Sequence, residues 1–460
     1  MSYNQKNKSI TADLKTELFL TPMKIRIPES ADPRVVIIGG GFGGLNLAKK
    51  LRHKPIQVVL IDKHNYHTFQ PLLYQVATGG LEPDSIGTAY RNIFEKSSNI
   101  FFRMAETREI DPEHKKVYTS IGTIHYDFLV IATGAKTNFF GMEEVEQNAM
   151  AMKSLPQALD LRSLFVQNLE KAVNLEYGDE QESLMDIVVV GGGPTGVETA
   201  GALAELKRHV FPDEFGELDF KIMDIHLVEA GPRLLGTMSE KASEKTKKYL
   251  EELGVRVSVN TGLISYDGKV ALFNNGLQIP TESLIWTAGV KGNPVYGIPP
   301  ELMVKGNRIK VDEFLRVPGL DDVFAIGDVA AMHRMGQWEA QPMVAPAAIQ
   351  HGQYLAETLL RIRKNKPIGM FRYVDKGSMA TIGRNKAVVD LGRLRFQGVF
   401  AWFVWMFVHL MYLVGFRNRL VVFVNWAWNY FSYDKGLQLI IHPFMKTPKN
   451  KAPLAKESLA

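Results

Sequence analysis

Arg34–Ala48 reads RVVIIGGGFGGLNLA, and Asp186–Ala200 reads DIVVVGGGPTGVETA. Each stretch has a short β-branched run, then G-x-G-x-x-G, then a helical pattern. In the first, Gly39 allows a tight turn, Gly41 lets a pyrophosphate approach the backbone, and Gly44 permits close packing of helix on strand. The pyrophosphate rests on the helix N-terminus, where free N–H groups favour negative charge. An acid, Asp62, ends the next apolar run, Val58–Ile61, 23 residues after Gly39. That is the position for a hydrogen bond to an adenosine ribose. Gly191, Gly193 and Gly196 repeat the device, and Ile225–Val228 leads to Glu229. The spacing from Gly191 is 38 residues, lengthened by an extension over Lys207–Met223. A carboxylate at Glu229 accepts from ribose hydroxyls and repels a 2′-phosphate, which predicts NADH over NADPH. Two dinucleotide folds suggest two dinucleotides, one natural pairing being FAD held permanently and NAD(H) exchanging. The fold class expected is α/β, with two Rossmann-like domains and a C-terminal membrane-anchoring helical segment.

Outward from these motifs, IATGA (Ile131–Ala135) and WTAGV (Trp286–Val290) each follow an apolar run. They mark places where the chain would cross between domains. Ala149–Leu184 is polar, with a helix-like Leu155, Leu159, Leu164 pattern. Val323–Ile326 reads as a strand before Gly327-Asp328, Ala347–Arg361 as a helix, and Phe371–Leu391 as strand-like.

The 460 residues include no cysteine, which excludes disulfides, Cys-ligated zinc, iron–sulfur clusters and thiol nucleophiles. Redox chemistry must then use an organic cofactor, and no metal site is expected. The formal net charge is +5, but it is unevenly spread. Residues 391–460 hold nine Lys or Arg and two acids, a net of +7, and the remainder has 45 bases against 47 acids, a net of −2. A basic end on a nearly neutral body points to a membrane surface or a partner protein, not to nucleic acid. Val399–Phe416, VFAWFVWMFVHLMYLVGF, is 18 residues long with His409 its only strongly polar side chain. That is near the minimum for a spanning helix. Four of the six tryptophans fall within Trp402–Trp428, and Leu391–Tyr433 contains no acid. A spanning helix and a buried core helix compete with a monotopic pair lying in the interface. Interior Trp, flanking Arg417 and Arg419 and the missing acids favour the monotopic pair. The N-terminus mixes Lys and acids without an apolar run, so no secretory signal is expected.

Several strings resemble the type II NADH:quinone dehydrogenases. They are NYHTFQPLLYQVATGGL (Asn65–Leu81), GPTGVETAGALAEL (Gly193–Leu206), AIGD (Ala325–Asp328), DKGSMATIGR (Asp375–Arg384) and GFRNRL (Gly415–Leu420). The resemblance covers Arg34–Pro443. It implies FAD held by Gly39, Gly40, Gly41, Phe42, Gly43, Gly44, Asp62, Lys63, Thr107, Thr133, Gly134, Asp328, Ala345, Pro346 and Lys376. It implies NADH at Gly191, Gly193, Pro194, Thr195, Gly196, Glu198, Glu229 and Gly289, and quinone near Pro346, Gln350 and Lys376. Glu198 and Lys376 are the expected catalytic groups, relaying protons for quinone reduction. One departure stands out: the family often has Ala-Gln, three residues, then Gln, and here Pro346 replaces the first Gln. Proline donates no hydrogen bond, so contact there is backbone, apolar or shifted.

The expected organisation is a polar lead-in at 1–30, FAD-binding parts at 31–150 and 290–368 around an NADH-binding domain at 151–289, a C-terminal domain with amphipathic anchoring helices at 369–445, and a basic tail at 446–460. The expected function is oxidation of NADH, with hydride transfer to FAD and reduction of a membrane quinone, without proton pumping. The expected partners are a quinone, a lipid surface and a second copy of the chain, on the cytoplasmic face of a bacterial inner membrane. The alternatives are a soluble FAD-dependent reductase of other acceptors and a non-catalytic NAD(H)-sensing membrane flavoprotein.

Overall fold

In the computed structural model, residues 25–332, 341–432, 439–440 and 443–444 are described. The basic tail and most of the lead-in lie outside them. The chain forms two compact units. One takes the chain up to His67, Ala89–Ala135 and Lys291–Val374; the other takes Thr68–Thr88, Lys136–Val290 and the chain from Asp375.

The first unit is built on a six-stranded sheet. Its order is Arg316–Val317, Leu320–Ala325, Phe128–Ile131, Arg34–Ile38, Gln57–Asp62 and Ile100–Met104. All neighbours are parallel except the first pair. Val36 pairs with Val59 on one side and Leu129 on the other, and Val35–Ile38 are buried. An unbroken apolar run is what a parallel strand covered on both faces requires. The helix that follows the first strand, Phe42–Leu51, packs on the helix Ala345–Arg363. Their backbones approach so closely that a Cβ on Gly352 would lie 2.3 Å from the Gly43 carbonyl oxygen. Pro346 sits in the first turn of the later helix, where its missing N–H costs nothing.

The second unit has a five-stranded parallel sheet, ordered Met150–Ala151, Ser283–Trp286, Ile187–Val190, Ile225–Val228 and Val255–Ser258. The helix Leu155–Ala172 is capped by Ser154, whose hydroxyl accepts from the Gln157 amide. Leu155 and Leu164 are buried there, whereas Leu159 points to solvent. Beyond the glycine-loop helix Pro194–His209, the extension forms a short helix, Phe211–Glu214, and stacks Phe211 on Phe220 at 5.7 Å. Among the described residues, strand pairing near the C-terminus is confined to Ser378–Thr381, Ala387–Leu391 and Leu394–Gln397. Phe371–Gly377, expected as strand-like, has no regular structure.

The apolar run from Val399 is not one helix. Val399–Tyr412 ends, the chain turns through Gly415 at φ +89°, and Phe416–Ser432 begins. Fourteen residues give about 21 Å of helix, short of the ~30 Å of a hydrocarbon core. Among the described residues, no helix is long and apolar enough to cross a membrane. Arg419 caps the first helix, its guanidinium donating to the carbonyls of Met411 and Leu413 at 2.9 and 3.0 Å. The second helix docks on Thr68–Thr88. Asn418 donates to Thr88 Oγ1 at 3.0 Å, Trp426 Nε1 to Gln75 Oε1 at 2.7 Å, and Asn429 to the Gly80 carbonyl at 2.9 Å. The outward faces stay apolar: Phe400, Phe403 and Phe407 on one helix and Phe416, Leu420, Phe423 and Phe431 on the other are exposed.

Candidate functional site

The two glycine loops have the same atomic design. Gly39 and Gly191 adopt φ +101° and +113°, where L side chains are strained. A Cβ on Gly44 would fall 1.9 Å from the Gly39 carbonyl oxygen, and one on Gly196 would fall 1.8 Å from that of Gly191. These third glycines are closed by the fold itself. At the middle positions, Gly41 and Gly193, a Cβ would meet nothing within 4 Å. Each therefore leaves open backbone at the N-terminus of a helix, where a pyrophosphate fits.

The acids close the design. Asp62 Oδ2 accepts from the Gly40 amide at 2.7 Å and from Tyr90 Oη at 3.4 Å, and Oδ1 accepts from the His64 amide at 2.8 Å. Glu229 Oε2 accepts from the Gly192 amide and Oε1 from the Gly231 amide, both at 2.6 Å. The two spacings of 23 and 38 residues thus end in one arrangement. Both carboxylates end strands adjacent to the loop strand, and only the connection between differs in length. Each is half-buried beside its loop, where ribose hydroxyls can share it. Both cradles fit a dinucleotide.

Of the remaining positions assigned in the first unit, Thr133 abuts the loop, a Cβ on Gly39 falling 3.1 Å from its Cα. Thr133 Oγ1 donates to the Asn293 carbonyl at 2.7 Å, Gly134 adopts φ +69° with open space at its Cα, and Thr107 Oγ1 is buried without a hydrogen-bond partner among the described residues. Asp328 lies in the short helix Gly327–Val329, in the field of the buried Arg308. Lys63 is exposed. Gln350 stands one turn beyond Pro346, and its side-chain amide is engaged at both ends. Its Oε1 accepts from the Val374 amide and its Nε2 donates to the Val374 carbonyl, both at 2.9 Å.

In the second unit, Pro194 and Thr195 open the glycine-loop helix, and a Cβ on Gly289 would strike the Phe140 ring at 2.8 Å. Lys376 is exposed just before the strand Ser378–Thr381. Glu198 is 7 % exposed, on the second turn of the same helix. Its Oε1 accepts from Trp405 Nε1 at 3.2 Å and from the Thr381 amide at 3.4 Å. Burial disfavours its charged form more strongly than these two donors favour it, and its pKa is pushed up to about 8. A neutral carboxylic acid at pH 7 can hold and give a proton. Glu198 faces a cavity of about 110 Å³ shared with Tyr74, Glu205, Trp402, Trp405 and Trp426. Tyr74 and Thr381 lie within the family-like strings Asn65–Leu81 and Asp375–Arg384 without an assigned role, and Trp405 lies in no motif; only the fold places the three around Glu198.

Residues 33–352 match the family described as pyridine nucleotide-disulphide oxidoreductase, and residues 376–432 match the NDH2 C-terminal domain. The chain is 34 % identical over 418 residues to the type II NADH:quinone oxidoreductase Ndh of Mycobacterium tuberculosis, covering 88 % of this chain and 89 % of that protein. The chain belongs to the type II NADH:quinone oxidoreductases. A second member, from Haemophilus influenzae, is 30 % identical, with 82 % of this chain and 93 % of that protein covered. A solved structure of NDH2 from Plasmodium falciparum in complex with NADH shares the fold, with a TM-score of 0.82 at 24 % identity over 88 % of this chain and 99 % of that one. The family-like string GFRNRL supplies Asn418, which bonds to Thr88 and Gly87, and the helix it opens carries Trp426 to Gln75 of a second such string, Asn65–Leu81.

Proposed function

We propose that this chain oxidises NADH and reduces a membrane quinone by way of bound FAD, without pumping protons. The balance is NADH, quinone and one proton giving NAD⁺ and quinol. The observation that carries this reading is the duplicated cradle: two open glycine loops, each locked by its own carboxylate, in a chain whose C-terminal part matches the NDH2 domain. Bound FAD supplies a two-electron relay between the two substrates.

The chain's own residues bind, orient and protonate. The loop at Gly39–Gly44 with Asp62 holds the FAD pyrophosphate and ribose, and the AIGD turn presents Asp328 to the ribityl chain. The loop at Gly191–Gly196 with Glu229 holds NADH and disfavours a 2′-phosphate. Glu198, neutral near pH 7, is a proton donor for quinol formation, and Lys376 is the second. Pro346 offers no N–H, and the Gln350 amide is committed to Val374, so apolar and backbone groups of that helix meet the quinone. The exposed aromatic faces of the two C-terminal helices lie in the lipid interface, supported by Arg417 and by the absence of acids over Leu391–Tyr433. Part of that face pairs two copies of the chain. The setting is the cytoplasmic face of a bacterial inner membrane.

The test is spectrophotometric. Protein purified with a yellow flavin chromophore should bleach on anaerobic addition of NADH and recover its absorbance on addition of a quinone analogue. Bleaching without recovery would leave a reductase of some other acceptor. No bleaching would leave a nucleotide sensor.

A further inference from the structure

We propose that Trp405, on the helix with the exposed aromatic face, is a positioning residue that sets the protonation of Glu198, and that the cavity beside them is the water chamber through which Glu198 is reprotonated. The inference rests on reading Glu198 as a proton donor.

Three observations carry it. The first is geometric. The Trp405 indole is 2 % exposed, and its only N–H donates to Glu198 Oε1 at 3.2 Å. The ring is held from behind by His409, stacked at 4.1 Å with its Nδ1 2.8 Å from the Trp405 carbonyl, and His409 meets Phe69 edge-on at 6.2 Å. An indole N–H held so tightly against a carboxyl group acts on its ionisation, because the hydrogen bond is stronger to the anion than to the acid.

The second is the cavity. At about 110 Å³ it has room for several water molecules, and the polar side chains in its largely apolar lining give them partners. Glu198, Tyr74, Glu205 and Arg384 all line it. Gln75 Nε2 donates to Tyr74 Oη at 2.9 Å, and Trp426 Nε1 fixes Gln75 in turn. The Arg384 amide donates to Glu205 Oε1 at 2.5 Å.

The third is the electrostatic setting. The titratable and charged groups near Glu198 are Tyr74, Glu205 and Arg384, which line the same cavity, and His409, stacked on the Trp405 ring. Burial keeps Tyr74 protonated far above its usual range and holds His409 neutral, at about 4. Neither of the two charges Glu198 through the neutral range. The consumed proton has to come from water, since NADH delivers one hydrogen and two electrons to a quinone that needs two hydrogens. A buried acid that gives a proton each turnover needs a route for its replacement, and the chamber is that route.

The experiment uses the full-length flavin-loaded protein and records quinone turnover from pH 6 to 10, with flavin reduction by NADH measured separately. Wild type should lose turnover along an alkaline limb as Glu198 ionises. Trp405→Phe keeps the ring and removes the donor, and should move that limb upward by about one pH unit. Glu198→Gln should abolish it. Ala202→Leu, which places a side chain in the chamber from the helix of Glu198, should slow quinone turnover several-fold relative to flavin reduction and enlarge the solvent isotope effect. If Glu198→Gln retains the limb, the proton-donor reading of Glu198 falls. If Glu198→Gln abolishes it but Trp405→Phe superimposes on wild type, the role of Trp405 is overturned and that of Glu198 stands. Wild-type turnover and isotope effect in Ala202→Leu would overturn the chamber, independently of how Trp405→Phe folds.

Discussion

Gly193→Ala and Gly196→Ala add the same methyl group three residues apart, and the structure assigns them opposite consequences. At Gly196 the methyl carbon would sit 1.8 Å from the Gly191 carbonyl oxygen and 2.8 Å from Thr287 Oγ1. The helix must separate from its strand by well over an ångström. Forced overpacking of this kind costs about 1–3 kcal/mol. At roughly 2–4 °C per kcal/mol, the melting temperature should drop by ~5 °C. At Gly193 the methyl carbon meets nothing, and φ is −72°, comfortable for alanine. Melting should fall by only about 1–3 °C, since exchanging an N-cap glycine for alanine costs roughly 0.5–1 kcal/mol. The same methyl stands where the pyrophosphate must approach. Losing one charge-assisted hydrogen bond there costs ~1.5–3 kcal/mol, or about 10- to 150-fold in affinity. The assay pairs thermal unfolding with stopped-flow bleaching of the flavin over a range of NADH concentrations. Gly193→Ala with a wild-type concentration dependence would refute the loop as the coenzyme cradle. Gly196→Ala with wild-type melting would refute the steric account of the third glycine. Gly41→Ala and Gly44→Ala should repeat the contrast in flavin content.

Three further outcomes are expected. Glu229→Gln retains one acceptor oxygen for two backbone donors. It should lower the ratio of NADH to NADPH efficiency at least tenfold, measured as kcat/KM, and an unchanged ratio would remove Glu229 from coenzyme choice. In the folded protein Glu198 stays protonated up to about 8, whereas unfolded it ionises near 4.5, so it binds more protons folded than unfolded between those values. Its contribution therefore weakens stability as pH rises through that window. Glu198→Gln should accordingly gain melting temperature over wild type from pH 5 to pH 9, and a constant gap would mean the carboxyl is not held neutral. Phe403→Asp with Phe407→Asp alters two side chains more than half exposed. It should leave melting unchanged and weaken co-sedimentation with anionic vesicles at least tenfold; undiminished binding would place the lipid contact elsewhere.

The two glycine loops and their acids were legible in the sequence because their geometry tolerates so few residues. A positive φ, a carbonyl 1.9 Å from a would-be Cβ, and a strand-ending acid each leave a mark at a fixed place. The apolar strands were legible for a related reason, since burial on both faces forbids polar interruptions. The contacts around Glu198 were not legible. Trp405 lies 207 residues away, and nothing local distinguishes it from Trp402, one turn earlier on the same helix. A pair of helices was legible, but the break falls at Leu413–Gly415 and not at Arg417–Arg419, where the first apolar run gives way to the second. Composition runs apolar straight through the break, while the backbone turns at Gly415 and Arg419 reaches back to the end of the first helix. Phe371–Gly377 alternates enough to look like strand. Its backbone at Val374 is instead satisfied by the Gln350 side chain, a pairing periodicity cannot register.

On the proposed reading, Glu229 does two jobs with the same pair of oxygen atoms, and this limits how the chain can evolve or be redesigned. The carboxylate proposed to test for a bare ribose also ties down the amides of Gly192 and Gly231. Coenzyme preference and loop order are therefore inherited together. A lineage drifting toward NADPH cannot simply exchange this acid for a small or basic residue, because two partly buried backbone donors lose their acceptors at the same step. A new acceptor for the Gly192 amide has to arrive first or together, which makes the switch a two-mutation event. An engineer seeking an NADPH-consuming variant should begin there, with the loop, before adding a cation for the phosphate.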